Sequence, residues 1–291
     1  PFYHGMTSVT YANPLDFQTI SRIARDEKPT IMVGTPSFFW GYLQKSEPGD
    51  FKTLRLMIAG ADKCPDALRE GYRNKHNVTL LEGYGATETS PVISVNSLEF
   101  NRPGSTGKVV PNIRVRIENF ETGKDCQPGE VGKILVKGPS VMNGYYDDPA
   151  QTAEVLVDGW YNTGDMGYMD EDGYLWHAGR FKRFTKIGGE MVSLVKVENT
   201  LEKYLPQGAS CCVVEVIDEK KGSVIVATVS LEVNKTEILR KMMNDLPIIA
   251  LPRQFITISE MPMMGTGKID FRTVTKMVNE IMSRSGAEEI S

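Results

Sequence analysis

Short apolar runs and helix-like segments alternate along the first part of the chain. Runs of β-branched and long aliphatic residues at 30–33, 54–58 and 78–81 predict buried strands, and a further strand-like run lies at 8–11. Apolar residues spaced for one helix face lie between them, in residues 14–27, 35–43 and 65–76. This alternation predicts βαβ units around a parallel sheet.

The pattern changes after residue 103. Strand-like runs at 109–117, 131–136 and 173–177 are separated by clusters of Gly, Pro, Asn and Asp, which predicts a small antiparallel β subdomain. The sequence after Arg183 predicts a separate α+β domain of roughly 100 residues, which is a common domain size. Its predicted strands are 211–216 and 224–231, and its predicted helices are 195–205, 236–244 and 271–282.

Composition argues against nucleic-acid binding, a membrane span and a cysteine-based metal site. Hydrophobic content of 41% and charged content of 24% are ordinary for a globular protein, and a net charge of −4 argues against general nucleic-acid binding. No segment reaches the roughly 18 apolar residues of a membrane span, and no signal peptide is visible. The four cysteines lack metal-site spacing, and Cys211 and Cys212 are adjacent in an apolar run, so we expect buried free thiols in a reducing cytoplasm.

The segment 82–90, Glu-Gly-Tyr-Gly-Ala-Thr-Glu-Thr-Ser, carries the most chemistry. It follows a predicted buried strand, and we expect it to be a glycine-rich turn at the edge of the sheet where ligands bind in open α/β folds. Tyr84 offers a ring face for a base, Thr87 a hydroxyl for a phosphate oxygen, and Glu88 a carboxylate suited to Mg²⁺. By itself the motif is equally compatible with an ordinary strand-to-loop turn.

Three further motifs follow in order: Trp-Tyr-Asn-Thr-Gly-Asp at 160–165, a basic glycine-flanked run at 179–189, and Thr-Gly-Lys-Ile-Asp at 266–270. In this order and spacing the set resembles the adenylate-forming (AMP-binding) superfamily of acyl-CoA synthetases, luciferases and peptide-synthetase adenylation domains. Segments 59–62, 141–145 and 182–194 look most like the acyl-[acyl-carrier-protein] synthetase part of 2-acylglycerophosphoethanolamine acyltransferases.

The resemblance implies a fold class and a domain organisation. We expect a partial α/β sheet layer with a small β subdomain, followed by a mobile α+β C-terminal domain. Residues 1–181 would be the C-terminal part of the large AMP-binding domain, with the α/β unit at about 1–103 and the β subdomain at about 104–181. Residues 182–291 would form the small lid domain.

The resemblance also implies roles for single residues. Asp165 would bind the ribose and Arg180 would add a second donor to it; Lys268 would be the catalytic lysine of adenylate formation. Glu88 would bind Mg²⁺. The expected contacts to ATP or AMP are Gly60, Ala61, Glu82, Gly83, Tyr84, Gly85, Ala86, Thr87, Asp165 and Arg180.

The basic run at 179–189 would serve the second half-reaction. Lys186 is similar to the lysine that the family uses in its thioester-forming orientation, Lys182 lies at the hinge position, and Gly189 corresponds to the glycine that lines the thiol tunnel. A solvated basic linker between domains would have much the same composition. Where the family has a Pro and then an acidic pair, this chain has Leu194 and Lys196, and only Glu198 is retained.

The resemblance therefore predicts an acid–thiol ligase that forms a fatty acyl-adenylate and passes the acyl group to acyl carrier protein. Fatty acyl-CoA synthesis, with coenzyme A as acceptor, is the alternative, as is a non-catalytic module that binds nucleotide or carrier. The Ser/Thr/Gly-rich phosphate loop of the family has no counterpart in residues 1–81, so we expect a C-terminal fragment that is inactive in isolation. We expect it at the cytoplasmic face of a membrane or free in the cytoplasm, in a phospholipid-remodelling role.

Overall fold

The computed structural model describes residues 2–206, 208–218, 222–264 and 269–288, and the chain divides into two compact units, Pro1–His177 and Ala178–Ser291. The predicted fold class is confirmed: α/β layers are followed by a small α+β unit. The domain boundaries at 103 and 181 stay predictions about the family's domains.

The first unit begins with the predicted βαβ units. Its elements are α1 (Phe17–Glu27), β1 (Ile31–Gly34), α2 (Pro36–Lys45), β2 (Leu56–Ala59), α3 (Asp66–His76) and β3 (Leu80–Gly85). The strands β1, β2 and β3 are parallel, as predicted. Two antiparallel strands, β4 (Val92–Val95) and β5 (Lys108–Val109), extend the sheet beyond β3. β4 was not predicted, and only Val109 of β5 falls in a predicted strand-like run.

Local sequence signals fix the helix ends of this layer. The Asp16 carboxylate accepts a hydrogen bond from the Thr19 amide at the start of α1, and the Thr35 hydroxyl does the same for Phe38 at the start of α2. The helices then pack large side chains into one core, which includes the fully buried Phe39, Phe51, Met57, Leu68 and Tyr72.

The strand predicted at residues 8–11 is wrong. These residues have no regular secondary structure, and their side chains are exposed. An alternating pattern supplies one face of a strand but not the neighbouring strand that must complete its hydrogen bonds.

An antiparallel sheet forms the rest of the first unit, as predicted. It contains β6 (Arg114–Glu118), β7 (Gly132–Lys137), α4 (Pro149–Val155), β8 (Leu156–Val157), β9 (Trp160–Met169) and β10 (Leu175–Arg180), whose first three residues belong to this unit. The predicted run at 109–117 is wrong as a single strand, because a turn with Asn112 at φ 66° separates β5 from β6. The predictions missed α4, β8 and β9.

The second unit is built on a three-stranded sheet with helices on both faces. Its elements are β11 (Phe184–Ile187), β12 (Glu190–Ser193), α5 (Leu194–Glu202), β13 (Cys211–Asp218), β14 (Gly222–Val229), α6 (Lys235–Met242), β15 (Gln254–Thr257) and α7 (Phe271–Glu288). Cys211 and Val213 lie in one core with α5 and α6, and Cys212 and Val214 lie in the other with α7. Because both faces of β13 are buried, the run at 211–214 is apolar at every position instead of at alternate ones.

The hairpin β11–β12 was not predicted, since its basic sequence was given roles by resemblance but no secondary structure. Ile187 pairs with Glu190, which leaves Gly188 and Gly189 as a two-residue turn with φ values of 58° and 93°. Two consecutive positive φ values are what a type I′ hairpin turn requires, and glycine adopts them without a steric penalty.

Two expectations from composition agree with the structure. All four cysteines are free thiols; three are buried and Cys126 is half-buried. Burial raises the pKa of the Cys64 thiol to about 11. Among the helices that the structure describes, none combines the length and the apolar character needed to cross a bilayer.

The buried His76 predicts an acid-sensitive first unit. Burial, with Lys75 nearby, lowers the pKa of His76 from 6.5 to about 4; Nε2 bonds the Ser46 hydroxyl at 2.9 Å. Between pH 6.5 and 4 the unfolded chain therefore binds more protons than the folded chain, so stability falls as the pH falls through this window. We expect a loss on the order of 2–3 kcal/mol in the free energy of unfolding.

Urea unfolding followed by tryptophan fluorescence measures this loss, since Trp40, Trp160 and Trp176 all lie in the first unit. His76→Leu should remove most of the slope between pH 6.5 and 4, whereas His4→Leu, at an exposed histidine, should leave it unchanged. An equal slope in the wild type and in His76→Leu would contradict the assignment.

Candidate active site

The carboxyl ends of the parallel strands meet at one edge of the first sheet. Ala59 at the end of β2 pairs with Glu82 of β3, so Gly60 lies beside Gly83. A Cβ built on Gly60 would be 3.7 Å from the Gly83 carbonyl oxygen, and the next residue, Ala61, has the left-handed φ of 68°. The structure thus brings Gly60 and Ala61 to the same edge as the motif at 82–90.

The motif itself begins inside the strand, not in a turn as predicted. β3 continues through Gly85, and its pairing with β4 shifts register between Tyr84 and Gly85. At Gly85 a Cβ would lie 2.0 Å from the Pro91 carbonyl oxygen. The absence of a side chain therefore allows the chain to fold back onto β3 after the short 3₁₀ helix Thr87–Thr89.

A large irregularity in β9 presents Asp165. Leu135 of β7 pairs with Asn162, and Lys133 pairs with Met166, so three residues of β9 oppose a single residue of β7. The Thr163 hydroxyl donates to the Ile134 carbonyl and accepts from the Asp165 amide, which stabilises the bulge. Bulges of this kind re-aim side chains beside active sites.

Tyr84 and Asp165, which are far apart in sequence, are in direct contact. The Tyr84 hydroxyl donates to Asp165 Oδ2 at 2.6 Å. Asp165 is buried, whereas Tyr84 is half-buried and keeps part of its ring accessible. The structure therefore joins the residue predicted to face a base to the residue predicted to bind a ribose.

Glu82 is held within the protein. Its carboxylate accepts hydrogen bonds from Arg69 Nη1 at 2.6 Å, from the Gly104 amide at 3.0 Å and from the Cys64 amide at 3.2 Å. These donors come from α3 and from the loops at 60–65 and 102–105. The Glu82 side chain orders the edge of the sheet, and a contact between Glu82 and nucleotide stays a prediction.

Glu88 lies on the 3₁₀ helix after β3 and is half-buried. Tyr145 donates its hydroxyl proton to Glu88 Oε1 at 2.9 Å, and the Met142 amide donates to the Glu88 carbonyl at 2.8 Å. Burial and the bond to Glu88 raise the pKa of Tyr145. Burial, with Glu88 and Tyr145 nearby, raises the pKa of Tyr161 as well.

Ala86 and Thr87 complete the predicted group in this unit. The Ala86 amide donates to the Pro91 carbonyl and to the Thr89 hydroxyl, so its backbone is fixed. Thr87 has an exposed side chain, as a contact to a bound phosphate would require.

The remaining predicted residues belong to the second unit. Arg180, Lys182 and Lys186 are exposed; Arg180 ends β10 and Lys186 lies on β11. Gly189 lies in the β11–β12 turn, with open space where a side chain would be. Lys268 lies outside the described residues.

Two residues of the site were missed by the sequence analysis. His177 Nε2 lies 3.4 Å from Asp165 Oδ1, and Tyr145 bonds Glu88. The short segment at 141–145 had been noted only as a resemblance. His177 gave no signal, because contact with Asp165 depends on the pairing of β9 with β10.

Comparison with known proteins agrees with this geometry. Residues 1–146, half of the 291-residue chain, match the family model of the AMP-binding enzymes, and residues 196–268 match the C-terminal domain of AMP-binding enzymes. The chain belongs to the AMP-binding enzyme family. The predicted membership of the adenylate-forming superfamily is thereby confirmed.

The AMP-binding relatives include CoA ligases. The chain is 33% identical over 289 residues to the long-chain-fatty-acid–CoA ligase of Bacillus subtilis, covering 92% of this chain and 51% of that protein. It is 36% identical over 239 residues to the indoleacetate–CoA ligase of Aromatoleum aromaticum, covering 80% and 46%. The chain thus spans about half the length of these relatives.

Solved structures of the family are also similar. The anthranilate CoA ligase AuaEII in complex with anthranoyl-AMP has a TM-score of 0.76 at 26% identity, covering 96% of this chain and 56% of the other. O-succinylbenzoate coenzyme A synthetase (MenE) from Bacillus subtilis, in complex with ATP and magnesium, has a TM-score of 0.77 at 26% identity, covering 87% and 53%.

The two glycines at the sheet edge provide a matched test of the site's packing. Gly85→Ala forces a Cβ against the Pro91 carbonyl, so we expect a loss on the order of 3 kcal/mol in the free energy of unfolding. Gly60→Ala meets only an ordinary contact at 3.7 Å and should cost less than about 1 kcal/mol. Urea unfolding of both variants measures the difference, and equal losses would contradict the crowding at Gly85.

Proposed function

We propose that this chain is part of an ATP-dependent ligase that activates a carboxylic acid as its acyl-adenylate and transfers the acyl group to a thiol. The observation that supports this most is the Tyr84–Asp165 hydrogen bond of 2.6 Å, which joins two separate family motifs at one edge of the sheet. A carboxylate beside an accessible aromatic ring suits a nucleoside, because the ring stacks on the base and the carboxylate accepts hydrogen bonds from vicinal hydroxyls.

The reaction has two steps. A carboxylate oxygen of the acid attacks the α-phosphorus of ATP and pyrophosphate leaves, which gives the acyl-adenylate. The thiol sulfur then attacks the acyl carbon, loses its proton, and AMP leaves with the former carboxylate oxygen. Positioning and charge stabilisation supply most of the catalysis in such phosphoryl chemistry.

Glu88 fits the proposed role of Mg²⁺ ligand. Mg²⁺ is commonly bound through one or two carboxylates together with substrate phosphates, and a half-buried carboxylate close to the exposed Thr87 provides one. In the described part of the chain, no three His, Cys, Asp or Glu side chains form a metal cluster. The Tyr145 hydroxyl fixes the orientation of the Glu88 carboxylate. Bound Mg²⁺ would neutralise phosphate charge.

The basic residues are assigned by their match to the family motifs. Lys268 would stabilise charge at the α-phosphate during adenylate formation, and Arg180 would donate to the ribose. Lys186 would act in the thioester-forming half-reaction, with Lys182 at the hinge and Gly189 beside the thiol arm. Arg180, Lys182 and Lys186 have exposed side chains, and Gly189 has open space where a side chain would be.

The acid and the acceptor are the finer parts of the proposal. A fatty acid is supported by the similarity to the long-chain-fatty-acid–CoA ligase, and coenzyme A as acceptor is supported by the names of both relatives described above. Acyl carrier protein, with a role in phospholipid remodelling, is the second candidate. The observation that favours it is a group of exposed cations in the second unit, Arg180, Lys182, Lys186 and Lys196, because carrier proteins are acidic.

The two half-reactions test the enzyme assignment on the longest polypeptide that the gene encodes. We expect Lys268→Ala to abolish acid-dependent exchange of pyrophosphate into ATP but to leave thiolysis of preformed adenylate within a few-fold. Lys186→Ala should do the reverse, because the two lysines would act in different half-reactions.

The controls separate the alternatives. Lys276→Ala, at an exposed lysine of α7, should leave both half-reactions unchanged. Loss of both half-reactions in each lysine variant would argue against separate roles. Nucleotide binding without exchange activity in the wild type would favour the non-catalytic module.

The acceptor can be determined from salt dependence. If carrier protein is the acceptor, acyl transfer to it should fall steeply between 50 and 300 mM salt (concentrations chosen so that the Debye length shortens from about 14 Å to about 6 Å). Lys196→Glu should lower its rate at least about fivefold, whereas Lys276→Glu should not. Efficient acylation of coenzyme A, with no salt-sensitive use of carrier protein, would favour the CoA ligase instead.

A further inference from the structure

His177 approaches the proposed ribose-binding carboxylate at the oxygen that Tyr84 does not contact. Its Nε2 lies 3.4 Å from Asp165 Oδ1, while the Tyr84 hydroxyl bonds Oδ2 at 2.6 Å. The rings of His177 and Tyr84 are 5.4 Å apart at an interplanar angle of 44°. The three side chains belong to the first unit and form one group.

The position of His177 follows from the strand that carries it. Side chains alternate along β10: Leu175 is buried in the core of the antiparallel sheet, and Trp176 on the other face bonds Asp170 at 2.8 Å. His177 therefore shares the face of Leu175, one step nearer the end of the strand. There its side chain is 34% exposed, whereas that of Asp165 is 4% exposed. The imidazole lies at the boundary between the buried carboxylate and solvent.

A carboxylate held at one oxygen keeps freedom about its terminal torsion, which is broad in aspartate. The His177 imidazole, whose Nε2 lies 3.4 Å from the other oxygen, is close enough to limit that rotation and so to orient the remaining lone pairs. An ionised carboxylate has about four acceptor positions, so contacts to Tyr84 and His177 leave positions for two hydroxyl groups.

We propose that His177 is a positioning residue for nucleotide binding: with Tyr84 it orients Asp165 toward the two ribose hydroxyls. This inference depends on the proposed function, since it assumes that Asp165 binds a ribose. The competing explanation is that His177 only packs against Tyr84 and contributes to the local fold.

The two explanations differ in what they predict for the ribose hydroxyls. A positioning role acts through Asp165, so loss of His177 should weaken AMP and leave 2′,3′-dideoxy-AMP unaffected. A packing role would weaken both nucleotides alike, because the base and phosphate contacts would be disturbed as well. The ratio of the two affinities therefore separates the explanations even if a variant is less stable.

The experiment measures both dissociation constants by calorimetry on the longest polypeptide that the gene encodes, since the chain spans about half the length of its relatives. For His177→Leu we expect a five- to tenfold loss of AMP affinity and a change of less than twofold for 2′,3′-dideoxy-AMP. His177→Gln, which keeps a polar N–H group near Oδ1, should stay within about threefold of the wild type for AMP. His4→Leu, which removes an exposed histidine elsewhere, should change neither constant.

Each contrary outcome has a distinct meaning. An unchanged ratio of affinities in His177→Leu overturns the positioning role while leaving the proposed function intact, and so does an equal loss for both nucleotides. If the wild type binds AMP and 2′,3′-dideoxy-AMP equally well, Asp165 does not bind the ribose. If the wild type binds neither nucleotide, the proposed nucleotide site fails, and the role of His177 fails with it.

Discussion

The buried carboxylate of Glu82 connects the parts of the first unit that form the site. Removing an ion pair from water is expensive, and the cost is offset only when good geometry and further hydrogen bonds satisfy both partners. Glu82 meets this condition through Arg69 of α3 and the amides of Cys64 and Gly104. One side chain thus fixes the loop after β2, the helix that follows it and the loop that leads to β5. The edge that carries Gly60, Ala61 and Tyr84 depends on this arrangement.

A second constraint is the irregular pairing of strands on both sides of the Tyr84–Asp165 contact. β3 loses register with β4 at Gly85, and β9 bulges opposite Ile134 at residues 163–165, which include Asp165. A regular strand directs alternate side chains to opposite faces, whereas a bulge can aim a side chain along the sheet edge. The site is therefore built from rigid strands, which hold a polar group more accurately than a loop of similar length would.

Much of the architecture could be predicted from local sequence. The helices α1, α2 and α3 have apolar spacing and end signals, and the strands between them are short apolar runs, so their order predicts the parallel sheet. The long strand β9 could not be predicted in this way. Its sequence contains Asn162, Gly164 and Asp165, residues typical of turns, and Gly164 does adopt a positive φ of 72°. Pairing with β7 overrides these local preferences.

The site was predicted where motifs carry it and missed where only tertiary contacts do. Tyr84, Glu88 and Asp165 belong to motifs, and the structure brings Tyr84 and Asp165 together. His177 and Tyr145 meet their carboxylates only because separate strands and loops converge, and no pattern in one sequence records that convergence.

The departure at Leu194 has a physical explanation that is independent of the thiol acceptor. Ser193 caps α5, since its hydroxyl accepts a hydrogen bond from the Lys196 amide, and Leu194 is therefore the first residue of the helix. Proline is favoured at that position because its missing amide proton is not needed there. In this chain Leu194 instead buries its side chain in the core with Val197 and Leu201. Leucine in place of proline thus exchanges a backbone preference for apolar packing, and the helix still begins at residue 194. The identity of residue 194 therefore does not discriminate coenzyme A from a carrier protein as acceptor. The charge at Lys196 does bear on that choice.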